Sequence, residues 1–207
     1  MRVGGIVLCG GKSRRMGTSK AMLPFGPESM LQRVVRLLGL VVQPVVVVAA
    51  PDQELPDLDA KISIVRDRHG GRGPLEGLRC GLVALQPVCD AAFVTGCDVP
   101  LLQPDFIRAM IQELSTNDIA VPVDRQYFHP MAAVYRTRIV PEIDHLLSQS
   151  LDKPRLLFET IPTCQVPIDR LSRADPRLLS LTNVNRKEDY LSALAEAGFE
   201  PPVDSSI

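Results

Sequence analysis

No stretch of this 207-residue chain approaches the roughly 20 apolar residues of a membrane-spanning helix. Internal repeats and low-complexity tracts are missing too, and neither sign of charge dominates, the formal net charge being -1. That balance argues against nucleic acid as the main partner and leaves positive charge as a local feature. The cysteines, Cys9, Cys80, Cys89, Cys97 and Cys164, form no C-x-x-C pair and are odd in number. Reduced thiols in a cytoplasmic protein are the expectation. His69, His129 and His145 lack zinc-ligand spacing, and no Ser/His/Asp set is recognisable.

Two familiar nucleotide signatures are also lacking. Gly11-Lys12-Ser13 invites a P-loop, but that loop needs a glycine five positions before Gly11, where Ile6 stands. Starting from Gly5 instead puts Gly11 at the lysine position, and the G-x-G-x-x-G pattern fails as well. The opening run Val3–Leu8 is too short for a leader, has no small-residue cleavage site and enters a charged loop. It reads as a first buried strand.

What the chain does have is alternation. Strand-like runs at Val3–Leu8, Val45–Ala50, Ile62–Val65, Ala91–Thr95, Ile119–Val123 and Met131–Tyr135 alternate with helical patterns. The helical patterns fall at Met30–Leu40, Leu75–Leu85, Pro104–Leu114, Val140–Ser148 and Arg186–Ala197. This order predicts one α/β domain over residues 1–198, with a mostly parallel sheet and helices on both faces, followed by a loose tail at 199–207. In such sheets ligands bind outside the carboxyl ends of the strands. The unusual loops all fall there: "CGGKSRRMGTSK" after the first strand, "RDRHGGRGPLEG" after the third and "GCDVPLL" after the fourth.

Each loop suits phosphate chemistry. Gly10 and Gly11 let backbone N–H groups approach an anion, and a following helix would add its positive end. Arg14, Arg15 and Lys20 can neutralise a triphosphate; a tight turn with solvated cations is the plainer reading. Asp98 ends an apolar strand, where a hard carboxylate suits Mg²⁺ completed by phosphate and water; otherwise it caps the next turn. Gly70, Gly71, Gly73 and Gly77 would let their loop fold closely over a nucleotide, or simply make it flexible. Asp67 could accept hydrogen bonds from guanine, or pair with Arg66 or Arg68.

The stretches "LCGGKSRRMGTSK", "GPLEGL", "GCDVPLL", "HPMAAVY" and "NVNRKEDY" occur in an order that resembles the molybdopterin nucleotidyltransferases of the molybdenum cofactor guanylyltransferase type, from Val3 to about Leu194. The resemblance implies a Rossmann-like, glycosyltransferase-A-like fold and transfer of GMP from GTP to the molybdopterin cofactor, with Mg²⁺. It implies nucleotide contacts in the first loop, at Leu8, Cys9, Gly10 and Gly11, and at Lys20 and Asp98, with Asp98 also the metal ligand; Asp67, Gly73 and Gly77 join the expected nucleotide contacts on the chemistry of their own loop. Arg15, Lys20 and Asp98 would carry catalysis, and the residues matching Arg15, Arg155, Asn183 and Asn185 lie toward the pterin. Asn183 and Asn185, two apart, share a side of an extended segment; alternatively Asn183 turns the chain and Asn185 caps the last helix. Transient contact with cofactor-delivering or molybdoenzyme-maturation proteins would follow. Ser19 and Ala50 depart from the aspartate and asparagine common there, both on the nucleotide side. Three alternatives stay open: a CTP-dependent enzyme, a sugar-phosphate nucleotidyltransferase of the same fold, or a non-catalytic nucleotide-binding chaperone.

Overall fold

The computed structural model describes residues 1–9, 19–67 and 73–202. The elements run β1 (Val3–Leu8), β2 (Pro24–Phe25), β3 (Glu28–Ser29), α1 (Met30–Gly39), β4 (Val45–Ala49), β5 (Ser63–Arg66) and α2 (Gly73–Leu85). Then come β6 (Ala91–Gly96), α3 (Pro104–Leu114), β7 (Ile119–Asp124), β8 (Tyr127–Phe128), β9 (Ala132–Arg136) and α4 (Val140–Ser148). The chain continues through α5 (Leu157–Thr160), β10 (Thr163–Pro167), α6 (Ile168–Leu171) and α7 (Lys187–Glu196).

The main sheet has the order β10-β7-β9-β6-β1-β4-β5, with β8 folded back on β7. Strand β1 sits near its middle because its residues are small enough to be covered from both sides. A Cβ on Gly4 would lie 2.9 Å from Leu85 of α2, and one on Gly5 2.6 Å from Leu38 of α1. The two glycines let these helices close on opposite faces. Strand β4 is a continuous Val-Val-Val-Val-Ala run with every residue buried, as a parallel strand covered on both faces requires.

The sheet is mostly parallel, as expected, with β8 and β9 reversed. Strand β9 lies antiparallel between β6 and β7, so the chain returns through the sheet before crossing to β10. Strand β10 is absent from the sequence reading. Only Val166 of its five residues is buried and it closes on Pro167, so it has neither alternation nor a continuous apolar run. Helix α2 begins at Gly73, two residues earlier than the apolar pattern suggests, so the last part of the glycine-rich loop is helical.

Three apolar clusters hold the layers. One lies under α1 and α3, with Phe93 edge-on to Phe106; a second lies under α2 and α4. Burying each large aliphatic side chain there contributes about 1.5–3 kcal/mol. The third joins α7 to the β2–β3 hairpin through Leu23, Phe25, Met30, Val184, Tyr190 and Leu194. Tyr190 Oη donates to the Pro24 carbonyl across this seam. Phe199, assigned to the loose tail by sequence, packs edge-on to Phe25 at 5.8 Å with Arg33 over its ring, so the packed domain extends at least one residue further. This third cluster matters for function because it brings the two ends of the chain to one edge of the sheet.

Candidate active site

Strand register places Asp98. Leu8 of β1 pairs with Gly96 of β6, and the Cys97 N–H donates to the Leu8 carbonyl at 3.0 Å just beyond the strand end. Asp98 follows immediately, at the carboxyl edge of the sheet. A Cβ on Gly96 would meet Asp98 Oδ1, so a side chain there would push the carboxylate aside. The Asp98 carbonyl accepts from the Val184 N–H at 2.8 Å, which lays the 183–185 segment alongside it.

Lys20 completes the cluster from a 3-10 turn at Lys20–Met22, directly before β2. Its Nζ donates to Asp98 Oδ2 at 3.2 Å and to Asn185 Oδ1 at 2.8 Å. Asn183 Nδ2 also reaches Asp98 Oδ2, at 3.5 Å. The Lys20 and Asp98 side chains are only 17% and 19% exposed, so this pair is less screened than an open surface ion pair. Lys20 thus points inward. Two of its three ammonium donors are engaged among the described residues, which leaves one for a phosphate oxygen.

The asparagine pair is held by a residue the sequence reading does not name. Asp189 accepts from the backbone N–H groups of Asn185 and Arg186, both at 2.9 Å. Those two bonds hold its carboxyl below the usual range, with the Arg186 and Lys20 charges adding to them. Arg186 is therefore the N-cap of α7, and its N–H is served from Asp189. Asn185 has its side-chain oxygen on Lys20 instead of on the helix. An acid three residues into a helix is the sequence signal that could have found Asp189.

The residues expected to contact the nucleotide form a second group. Leu8 is half-buried at the end of β1, and Cys9 is buried beside Cys97. A hydrogen bond with the Cys97 thiol, then burial, pushes the Cys9 thiol well above its ordinary range. Gln53 ties the neighbouring strand ends together, donating to the Cys9 carbonyl at 3.0 Å and accepting from the Ala50 N–H at 3.2 Å. Gly73 opens α2 at φ +75, against Asp152, and Gly77 lies over Leu8, where a Cβ would be 3.4 Å from Cδ2. Gly10, Gly11 and Arg15, with Lys12 and Arg14, lie outside the described residues, as do Gly70 and Gly71.

Asp67 follows β5, its N–H on the Ala49 carbonyl at 2.9 Å. Arg66 Nη1 donates to the carbonyls of Ala50 and Gln53. Asp67, Glu76 and Cys80 each offer a ligand atom within 4.8 Å of the others. Burial, then the Glu76 and Asp67 charges, pushes the Cys80 thiol up to about 11, so it is protonated at neutral pH and a poor partner for a hard cation. Asp98 fits Mg²⁺ better, being a partly exposed carboxylate at a strand end, beside a lysine suited to phosphate.

Arg155 stands apart from Asn183 and Asn185. It sits in the turn Pro154–Leu156, 71% exposed, with Nη2 3.6 Å from Glu159 one helical turn on. Its neighbours anchor that turn near the site, Asp152 against Gly73 and Phe158 against Phe128 at 5.0 Å between rings. The structure brings Lys20, Asp98, Asn183 and Asn185 together; it does not bring Arg155 into contact with them.

A carboxylate, a lysine and paired amides at the carboxyl edge of an α/β sheet define a site for handling phosphate esters. Comparison with known proteins narrows this. Residues 5–164 match the model of the MobA-like NTP transferase domain, and the chain belongs to that family of nucleotidyltransferases. A Mycobacterium avium protein named as a probable molybdenum cofactor guanylyltransferase is 37% identical over 95% of this chain and 97% of its own. One of the same name from Pelotomaculum thermopropionicum is 31% identical, over 91% of this chain and 90% of its own. Among solved structures, a molybdopterin-guanine dinucleotide biosynthesis protein A from Archaeoglobus fulgidus superposes with a TM-score of 0.77 at 22% identity, covering 96% of this chain and 99% of its own. A 4-diphosphocytidyl-2C-methyl-D-erythritol synthase from Anaerococcus prevotii reaches 0.70 at 15% identity, over 95% and 96%. These two likenesses establish the shared fold.

Proposed function

We propose that this enzyme transfers GMP from GTP to the terminal phosphate of molybdopterin carrying molybdenum, forming the guanine dinucleotide and releasing pyrophosphate. The observation that carries the reading is the position of Lys20. Its ammonium joins Asp98, on the nucleotide and metal side, to Asn185, on the acceptor side, at 3.2 and 2.8 Å. The names of the relatives at 31–37% identity support the choice of substrates.

In this mechanism a phosphate oxygen of the pterin attacks the α-phosphorus of GTP. A new P–O bond forms there, the bond from the α-phosphorus to the α–β bridging oxygen breaks, and pyrophosphate leaves with the electron pair. The nucleophile is already ionised near neutral pH, so no histidine base is needed. Positioning and charge neutralisation dominate, by analogy with other phosphoryl transfers. Asp98 would hold Mg²⁺, which supplies neutralisation of the triphosphate charge when bound. Lys20 and, from the opening loop, Arg15 neutralise phosphate oxygens as the bond order shifts. Leu8, Cys9, Gly10, Gly11, Gly73 and Gly77 are assigned to nucleotide contact, and Asp67 to the guanine edge.

Asn183 and Asn185 orient the acceptor, and Arg155 closes on its phosphate from the facing side. The reading includes a cytoplasmic setting and transient contact with proteins that deliver the cofactor or mature molybdoenzymes. No helix among the described residues is long and apolar enough to cross a membrane. The test is pyrophosphate release from each of the four NTPs, with molybdopterin or a sugar phosphate as acceptor. GTP should be used best. Preference for CTP would make it the cytidylyl enzyme, release only with a sugar phosphate would change the acceptor, and no release with any pair would leave a binding protein.

A further inference from the structure

A cavity of about 170 Å³ adjoins the site on the side away from β4, between the β7–β9 turn and the segment leading to Asn183. It is too small for a nucleotide, whose pockets run to several hundred Å³, but of the size of a single flat ring system. Phe128, Pro130, Met131, Ala132 and Leu181 line it, and among its polar lining residues are His129 and Asn183. Ser180 also borders it, but its hydroxyl already accepts from the Gln103 N–H at 3.0 Å.

The walls are fixed by bonds that do not involve a ligand. His129 is anchored at both backbone groups, N–H to the Pro122 carbonyl at 2.9 Å and carbonyl to the Ala132 N–H at 3.0 Å. The Pro130 carbonyl takes the buried Tyr135 hydroxyl at 2.9 Å, and Phe128 is backed by Phe158. Opposite, Asp175 is buried and accepts from the Leu179 and Ser180 N–H groups at 3.0 and 2.8 Å. By contrast, the His129 ring makes no hydrogen bond to any described residue. Burial lowers its pKa, against the opposing pull of Asp124, so it is neutral at pH 7 and offers one donor and one acceptor.

Asn183 is shared between this cavity and the Asp98 cluster. A ligand with a planar, hydrogen-bonding ring at one end and a phosphate at the other would span the two. We propose that this cavity seats the heteroaromatic ring of the acceptor, with His129 hydrogen-bonding the ring edge and Phe128 and Met131 lying on its faces. This rests on the acceptor being a pterin phosphate, as proposed above, and adds the residues that select its ring.

The test pairs binding with turnover. The binding probe is 6-hydroxymethylpterin phosphate, followed by its own fluorescence on wild-type protein, His129→Ala, His129→Gln and the cavity-filling Met131→Trp, all checked by thermal unfolding. His129→Ala should weaken the probe and raise the KM for molybdopterin by roughly tenfold, with the KM for GTP unchanged. His129→Gln should recover part of the loss, and Met131→Trp should block the probe outright. If wild-type protein turns over molybdopterin and all three variants keep its affinity for both pterins, the ring lies elsewhere and the inference is overturned. If wild-type protein neither binds the probe nor uses molybdopterin, the pterin reading itself fails and the ring site falls with it.

Discussion

The residues proposed to hold the acceptor sit in two different settings. Asn183 and Asn185 lie on an irregular segment tied through its backbone N–H groups to Asp98 and Asp189, and both side chains end on the Lys20–Asp98 pair. Arg155 lies on an exposed turn, its guanidinium on a glutamate of its own helix end. Residues held through backbone register arrive at the site already oriented, whereas a long side chain on a surface turn has to be recruited. The first group should therefore dominate ground-state geometry, and Arg155 should act only once the acceptor's phosphate is there to replace Glu159.

The sharpest way to break this comparison is at its shared anchor. Asp98→Asn removes the hard anionic ligand and the partner of Lys20, and transfer should fall roughly 100-fold or more while the thermal midpoint stays close to wild type. Near-normal turnover at ordinary Mg²⁺ would remove Asp98 from the chemistry. Lys20→Ala should come next, costing about 1.5–3 kcal/mol in kcat/KM for GTP, as for other charge-assisted contacts. A loss confined to the KM of the acceptor would put Lys20 on the other substrate.

On the nucleotide side, Asp67→Ala should lower the preference for GTP over CTP by roughly tenfold, the value of one good hydrogen-bonded pair to a charged group. An unchanged ratio means the base is read elsewhere. Asn183→Ala and Arg155→Ala sharpen the comparison itself. Both should raise the KM for molybdopterin and spare that for GTP, with the asparagine variant at several-fold and Arg155 smaller and more salt-sensitive, as an exposed charge should be. Equal effects at all salt concentrations would contradict the difference between the two regions. The smallest effect concerns Cys80. Its thiol, held near 11, should react slowly with iodoacetamide at neutral pH and faster as pH rises toward that value. Fast labelling at neutral pH would mean that burial and the neighbouring Glu76 and Asp67 charges do not hold it protonated.

Much of this was legible in the sequence because the relevant signals are local. Continuous apolar runs such as Val45–Ala49 announce buried parallel strands, and loops that follow them fall at the carboxyl edge by topology alone. Lys20, Asp98 and the asparagine pair could be picked out from motif order, and the structure brings those four together. What was hidden depends on long-range packing. Strand β10 has no pattern of its own and exists because β7 offers it a partner. The packing of α7 on the hairpin at Phe25 and Tyr190, which carries residues 183–185 to Lys20, joins positions some 165 residues apart (190 − 25). The His129 cavity is formed between two loops distant in sequence, so neither alone contains it.

The central claim is the reaction at the Lys20–Asp98 cluster, and the fate of labelled phosphate tests it most directly. Wild-type enzyme would be given molybdopterin with GTP labelled either at the α- or at the γ-phosphate, and the products separated. That reaction puts α-label in a pterin–guanine dinucleotide and γ-label only in pyrophosphate, with both signals lost in Asp98→Asn. Label from the γ-phosphate on the pterin, or α-label appearing only in free GMP, would contradict it.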